Sequence, residues 1–311
     1  MPVIMRSFNW KQDFELVQEF LTETYIITNT FHNWAPIRFE NRKFGPCGTE
    51  YQDEEDKLVK IWEISDKSKI GSQKIVAVTI MNSSGANWIQ IHPDHKYLER
   101  ELVLWIEKQL NASEDNLKII SRFHVLASDK DRVTLLSNLG YEMLGVEEYT
   151  RVRPVDMPVS EYNLPKGYVV RGVNTSQDFE KYREVMGSVF PHCGKMTEKL
   201  FKIYTSASFY NEKLDIIAVA PNDKFAAFAT FRLDPVSKIV ELEPVGTHPN
   251  HRKLGLASAV IFEGLKRIKQ FNPAAIVILG AANNPGANRL YDKLGFTEKT
   301  EIYIMEKKIK F

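Results

Sequence analysis

Apolar positions along this 311-residue chain fall into helical and strand rhythms, and the rhythms come in the same order twice. Near the start, Phe14, Leu16, Val17, Phe20 and Leu21 recur at helical spacing and predict an amphipathic helix, with Ser7 or Asn9 as its cap. Phe31–Glu40 is aromatic and without period. Three apolar runs, Leu58–Ile64, Lys74–Met81 and Asn87–Ile91, predict strands, the last two joined by a turn at Asn82–Ala86. His92-Pro93 breaks the third strand; an amphipathic helix over Leu98–Leu110, a strand over Leu117–Ile120 and a short helix over Asp129–Asn138 follow. In the second half, a strand is expected at Lys166–Gly172, then a helix through Phe179, Tyr182 and Val185 capped by Thr175 or Ser176. A short helix at Glu198–Thr205 precedes strands at Leu214–Ala220, Phe225–Leu233 and Lys238–Glu243. Leu254, Ala257, Ser258, Ile261, Phe262, Leu265 and Ile268 mark a helix, Ala275–Gly280 a fully buried strand, and Glu301–Glu306 a closing strand.

The repetition extends to the turns. Ile91-His-Pro-Asp-His-Lys96 mirrors Thr247-His-Pro-Asn-His-Arg252, and Leu135-Leu-Ser-Asn-Leu-Gly-Tyr-Glu142 mirrors Leu290-Tyr-Asp-Lys-Leu-Gly-Phe-Thr297. The copies lie about one domain apart, which indicates a duplication and not a solenoid. Thr150–Pro165 carries three prolines and no helical period, so a linker is expected there. The division predicted is a first domain over 1–153, a linker over 154–165 and a second domain over 166–311.

Composition narrows the picture. Hydrophobic and charged fractions of 43% and 26% are those of ordinary globular proteins, and a net charge of +1 gives no electrostatic case for nucleic acid. No apolar run approaches bilayer length and no signal-peptide pattern is seen at Met1–Ser7, so no membrane partner and a cytoplasmic location are expected. Cys47 and Cys193 are far apart and lack metal-ligand spacing, so neither a disulfide framework nor a metal site is expected. Gln52–Asp56 reads as a solvated charged loop.

The candidate chemistry sits where the strand Lys238–Glu243 runs through a basic turn into a helix. Such a turn aims the free N–H groups and positive dipole end of the helix at whatever lies above, and a phosphate fits there. Neither Gly-x-x-x-x-Gly-Lys-Ser/Thr nor Gly-x-Gly-x-x-Gly is present. The turn reads Val245-Gly246-Thr247-His248-Pro249, then Arg252-x-x-Gly255-x-Ala257. Downstream stands Asn284-x-x-Ala287-x-x-Leu290-Tyr291-x-x-x-Gly295-Phe296. Both motifs, in this order, resemble those of the GNAT N-acetyltransferases.

That resemblance implies an α/β fold of two tandem GNAT-like domains, each a mixed, mostly antiparallel sheet flanked by helices. It implies acetyl-CoA as co-substrate, with acetyl or a longer acyl group, and direct attack of a primary amine on its thioester; a small-molecule amine is the first expectation for the acceptor, and an amino-acid derivative, an antibiotic amine or a protein N-terminus would also fit. The pyrophosphate is assigned to Arg252, Lys253, Gly255, Leu256 and Ala257, chiefly through backbone N–H groups. Val245 and Thr247 lie where the family's strand backbone pairs with pantetheine, Asn284 would bond the pantetheine arm, and Tyr291 would protonate the departing sulfur. Read from the residues themselves, Glu241 and Glu243 lie two apart on a strand and project from one face. Pro244 cannot donate to a ladder, which argues for a bulge or splayed edge beside them. Either carboxylate can serve as base, directly or through a water; either can instead bind a cationic acceptor or face solvent. In the first copy Lys96, Glu99 and Glu101 stand where Arg252, Gly255 and Ala257 stand in the second, and the tyrosine has no counterpart. A carboxylate opposes an anionic ligand by bulk and charge, so the first domain reads as a non-catalytic copy. His248, His251 and the His192-Cys193 pair are set aside as solvated or non-facing residues. The alternative function is a CoA-binding sensor or scaffold without turnover, and the sequence leaves oligomeric state open.

Overall fold

The computed structural model describes residues 2–31, 34–45, 58–65, 73–81, 85–112 and 120–309. In chain order the elements begin β1 (Ile4–Ser7), α1 (Trp10–Thr28), α2 (Pro36–Phe44), β2 (Val59–Ser65), β3 (Gln73–Met81) and β4 (Ala86–Ile91). Next come α3 (Glu99–Asn111), β5 (Ile120–Leu126), α4 (Lys130–Asn138), β6 (Glu142–Arg153), β7 (Val169–Gly172) and α5 (Phe179–Val189). The chain continues through α6 (Glu198–Thr205), β8 (Asp215–Val219), β9 (Phe225–Leu233) and β10 (Ile239–Thr247). It ends with α7 (Leu256–Ile268), β11 (Ala275–Ala282), α8 (Pro285–Lys293) and β12 (Glu298–Lys308). The expected turn at Asn82–Ser84, the charged run Gln52–Asp56, the strand residues Leu117–Ile119 and Cys47 lie outside the described residues.

Two compact units result. Unit 1 is Met1–Pro36, Glu50–Thr150 and Thr300–Phe311; unit 2 is Ile37–Thr49 and Arg151–Lys299. A division at 153–166 keeps apart segments that these units share out differently: residues 37–49 go with unit 2 and the C-terminal strand with unit 1. In unit 1 the strand order is β1-β2-β3-β4-β5-β12-β6, and in unit 2 it is β11-β10-β9-β8-β7. The first five strands of each unit repeat one pairing scheme. β1-β2, β2-β3 and β3-β4 are antiparallel and β4-β5 is parallel. Likewise β7-β8, β8-β9 and β9-β10 are antiparallel and β10-β11 is parallel. This mixed, mostly antiparallel α/β architecture agrees with the fold class read from the sequence.

Helix packing on each sheet follows the apolar stripes. In unit 1, Leu102 and Ile106 of α3 bury against Trp62, Val76, Phe123 and Met305. In unit 2, Gly264 of α7 lies so close to the Phe231 ring of β9 that an added Cβ would sit 2.0 Å from it, so helix and sheet meet at this position without a side chain between. Asn9 caps α1 by accepting the Lys11 and Gln12 N–H groups, and Asp129 caps α4 through the Arg132 N–H. The cap expected at Thr175 or Ser176 is not formed: α5 starts at Phe179, and Asn174 Oδ1 instead accepts from Ser176.

Three elements depart from the pattern reading. α2 lies in the aromatic stretch without period; its sequence Pro-Ile-Arg-Phe-Glu-Asn-Arg-Lys-Phe mixes charge and aromatics on nine residues, too few to show a helical stripe. β6 extends the chain to Arg153, inside the stretch expected to be linker from Thr150 onward; its first residues are largely exposed, so no alternation marks it. Cys193 is buried and disulfide-bonded, against the expectation of no disulfide; the sequence has one other cysteine, Cys47. No helix among the described residues is long and apolar enough to cross a membrane.

Candidate active site

β10 leads into a 3-10 turn at Pro249–His251. His248 Nδ1 accepts the Asn250 N–H at 3.2 Å, and Tyr168 Oη lies 2.8 Å from His251 Nδ1. Both histidines therefore brace the turn, where the sequence had left them solvated. Arg252 and Lys253 are exposed, and Lys253 (φ 63°) and Gly255 (φ 78°) take left-handed backbone that swings the chain into α7. A Cβ on Gly255 would meet nothing within 4 Å, so the glycine answers the backbone angle while the space above it stays open. Leu256 is buried and anchors the first turn of α7 in the core; Ala257 is half-buried. The first helical bond runs from the Ala259 N–H to the Gly255 carbonyl, so the Leu256 and Ala257 N–H groups precede the intrahelical ladder, while the Arg252 N–H is bonded to the Pro249 carbonyl.

Just before this turn the sheet opens. β10 and β11 pair only at Ile239–Ala275, Val240–Ile276 and Glu241–Val277, although β10 runs on to Thr247 and β11 to Ala282. On its other edge β10 pairs with β9 through a bulge between Leu242 and Val245, where Pro244 lies. Pro244 lacks an N–H for the ladder, and the expected irregularity is observed there. Glu243, Val245 and Thr247 are half-buried while Leu242, Pro244 and Gly246 are buried, so the former three share the open side.

The two carboxylates differ sharply. Glu241 is 0% exposed and sits opposite Arg232 of β9 in register. Its Oε1 accepts from Arg38 Nε of α2 at 2.5 Å, and its Oε2 lies 3.9 Å from Arg232 Nη1. Burial pushes the Glu241 carboxyl upward, Arg38 and Arg232 pull it down, and Glu243 pushes it up again; the net direction is upward. Glu243 has a side chain 40% exposed and stands 3.6 Å from Arg38 Nη2. Arg38 Nη2 also donates to the Leu279 carbonyl of β11, so one guanidinium bridges both strands where they part. Sequence reading missed Arg38, because α2 lies some 200 residues from the motifs it joins.

Behind Arg232 the same sheet face stays polar. Asp215 of β8, opposite Thr230 of β9, is fully buried and accepts from Thr230 Oγ1 at 2.8 Å and Tyr210 Oη at 3.1 Å. Burial pushes its carboxyl up to about 6.

α8 holds the second motif. Asn284 caps it, its Oδ1 accepting from Gly286 N at 2.8 Å and Ala287 N at 3.2 Å, so only its amide nitrogen is left to face outward. Tyr291 is half-buried; burial pushes its hydroxyl up to about 12, with Glu243 acting in the same direction and Arg151 against it. Arg151, from the stretch expected to be linker, is buried under α8 and donates to Asp292 Oδ1 (2.7 Å), the Phe296 carbonyl (2.9 Å) and Asn288 Oδ1 (2.7 Å). Its guanidinium lies 5.8 Å from the Tyr291 ring centre. Arg153 adds a bond from Nε to the Leu294 carbonyl at 3.0 Å. The signal available in the sequence was the alternation Arg151-x-Arg153 at a strand end.

The corresponding turn in unit 1 is built differently past its first residues. His92 Nδ1 accepts the Asp94 N–H at 3.3 Å, as His248 does for Asn250, but a 3-10 helix over Pro93–Leu98 then leads straight into α3. The Glu99 N–H is bonded to the Lys96 carbonyl. Glu99 is 5% exposed and accepts from Arg132 Nε, whereas Glu101 points to solvent. Lys96, the counterpart of Arg252, lies 3.3 Å from Asp129. Among the described residues no cluster of His, Cys, Asp or Glu is arranged to hold a metal.

The parted strand pair β10–β11 and the N-terminus of α7 both lie within the segment that a family model matches. Residues 181–296 match the model of the acetyltransferase (GNAT) family. A mycothiol acetyltransferase of an Arthrobacter species is 24% identical over 231 residues, covering 71% of this chain and 70% of the relative. Another, from Saccharopolyspora erythraea, is 25% identical over 160 residues; here the match spans 50% of this chain and about half of the relative (52%). Among solved structures, a tandem GNAT protein from the clavulanic acid biosynthesis pathway superimposes with a TM-score of 0.70 at 11% identity, covering 100% of this chain and 99% of that one. The chain thus has the tandem GNAT fold, and the matched segment contains every site residue read from the sequence, while Arg38 and Arg151 reach the site from outside it.

Proposed function

We propose that the GNAT domain transfers an acyl group, acetyl in the first instance, from a CoA thioester to a primary amine by direct attack. The observation that carries this reading is the end of the β10–β11 ladder at Glu241–Val277, directly ahead of a turn with open space at Gly255 before α7. Pantetheine would pair with the open edge of β10 at Val245 and Thr247, and the pyrophosphate would rest on the N–H groups of Arg252, Lys253, Gly255, Leu256 and Ala257. Asn284 would contribute its amide nitrogen to the pantetheine arm. Glu243 takes a proton from the acceptor ammonium, and the neutral nitrogen attacks the thioester carbon. The C–N bond forms, the C–S bond breaks, the nitrogen gives up its second proton to solvent, and the thiolate takes the Tyr291 proton. A tyrosine held near 12 keeps that proton until the sulfur needs it. Glu241 supports the base without meeting the acceptor. Because Arg38 and Arg232 offset the two carboxylates, the acceptor needs no positive charge beyond its own ammonium. The unit 1 turn, with Glu99 at its helix start and Lys96 paired to Asp129, supports the reading of unit 1 as a non-catalytic copy. The names of the relatives put the acceptor of the mycothiol acetyltransferases first in a screen.

The test is thiol release from acetyl-CoA across an amine panel. Glu243→Gln and Tyr291→Phe should each lower kcat by about 10²-fold or more while leaving acetyl-CoA affinity within about twofold. Binding of acetyl-CoA with no thiol release from any amine would favour the sensor or scaffold reading.

A further inference from the structure

The segment that carries Arg38 is fastened into unit 2 by its own side chains. Ile37 and Phe39 are buried, and Glu40, also buried, accepts from the Ser208 N–H at 2.6 Å and from Ser208 Oγ at 2.8 Å. Arg38, between them, therefore reaches the parting of β10 and β11 from a fixed base. It meets Glu241 Oε1 at 2.5 Å, Glu243 Oε2 at 3.6 Å and the Leu279 carbonyl. A guanidinium presents donors in a planar fork, so one side chain can hold a carboxylate and a carbonyl at once. The charges that face Glu241 are Arg38 from α2, Arg232 from β9 and Glu243 from its own strand; past Arg232 lie Asp215 of β8 and Tyr204 of α6. Glu241 is fully buried while Glu243 is 40% exposed, so the cation between them meets one carboxylate cut off from water and one open to it.

We propose that Arg38 is a positioning residue for acyl transfer: it holds Glu241 as a permanently paired carboxylate, so that Glu243 alone is left to take the acceptor's proton. This rests on the proposed reaction for its kinetic consequence, but the pairing itself does not. Burial drives the Glu241 carboxyl up, and Arg38 is the largest opposing influence. Without Arg38 the buried Glu241 loses its largest opposing charge, its carboxyl moves further up, and it can bind the proton that Glu243 is there to take. The base is then spent until the solution is made more alkaline.

The experiment compares wild type, Arg38→Met, Arg38→Lys and the double variant Arg38→Met/Glu241→Gln as full-length protein, with thermal unfolding confirming that each is folded. Infrared difference spectra with isotopically labelled glutamate read the protonation of carboxyl groups directly. Arg38→Met should gain a protonated carboxyl band at neutral pH that the double variant lacks, and Arg38→Lys should show little of it. In turnover, Arg38→Met should lose about tenfold in kcat at neutral pH and recover as pH rises, with acetyl-CoA affinity unchanged. Adding Glu241→Gln should bring back the neutral-pH rate, because no second carboxylate remains to share the proton. No new band in Arg38→Met, or a kcat loss equal at every pH, overturns the proposal. If wild type releases no thiol from any amine, the acyl-transfer reading fails; the infrared band then still decides the pairing, its presence supporting Arg38 and its absence ending the claim.

Discussion

Single side chains carry most of the chemistry, and several can be tested singly. Asp215 has its carboxyl pushed up to about 6 by burial, above the unfolded value of about 4. Between those values the folded protein binds more protons than the unfolded chain, so this group's contribution to stability falls as pH rises from about 4 to about 6. The fall amounts to about 3 kcal/mol, and Asp215→Asn should flatten it; chemical denaturation at several pH values measures the difference. At Gly255, alanine fits the open space but not the backbone, since φ is 78°. Gly255→Ala should cost about 1 kcal/mol in stability, read by thermal unfolding, and should leave the turn able to bind. The sequence exposed such residues unevenly. Gly255, Tyr291 and Glu243 stood inside motifs of fixed spacing, so their places could be read directly. Arg38, Arg151 and Arg232 could not, because their roles arise from distant segments meeting under the sheet, and no spacing records that.

At the scale of elements, the strands and long helices were legible because one face of each is buried. β9 and α7, with continuous or helical apolar patterns, fall within a residue or two of their expected limits. α2 and β6 were hidden for the opposite reason: charge and exposure erase the period. α8 is a special case, since none of its residues is fully buried and its motif, not its hydrophobicity, announced it. Its seat is polar, resting on Arg151 and Arg153. Truncating Arg151 leaves the Phe296 carbonyl and Asp292 without their buried partner. Arg151→Met should therefore destabilise the protein by about 3 kcal/mol and raise hydrogen exchange first in residues 285–296. An equal rise in all elements of unit 2 would mean that Arg151 supports the unit as a whole and not α8 in particular.

At the scale of the whole molecule, the duplication seen in the turns is present in the strand pairing, and the two copies diverge where the phosphate turn would lie. Unit 1 closes its sheet with β12, whose residues Ile302–Lys308 pair with β5. A chain ending at Thr297 should lose amide protection along β5, as measured by hydrogen exchange, while β8 and β9 keep theirs. Among the described residues, a left-handed glycine, Gly255, stands at the helix start in unit 2, where unit 1 has the buried Glu99. The most direct measurement is a calorimetric titration of the full chain with acetyl-CoA, beside Gly255→Glu. One site per chain, lost in the variant, is the expected result, because a carboxylate there opposes the pyrophosphate by bulk and by charge. No binding, or binding indifferent to Gly255, would contradict the assignment of this turn and with it the proposed acyl transfer.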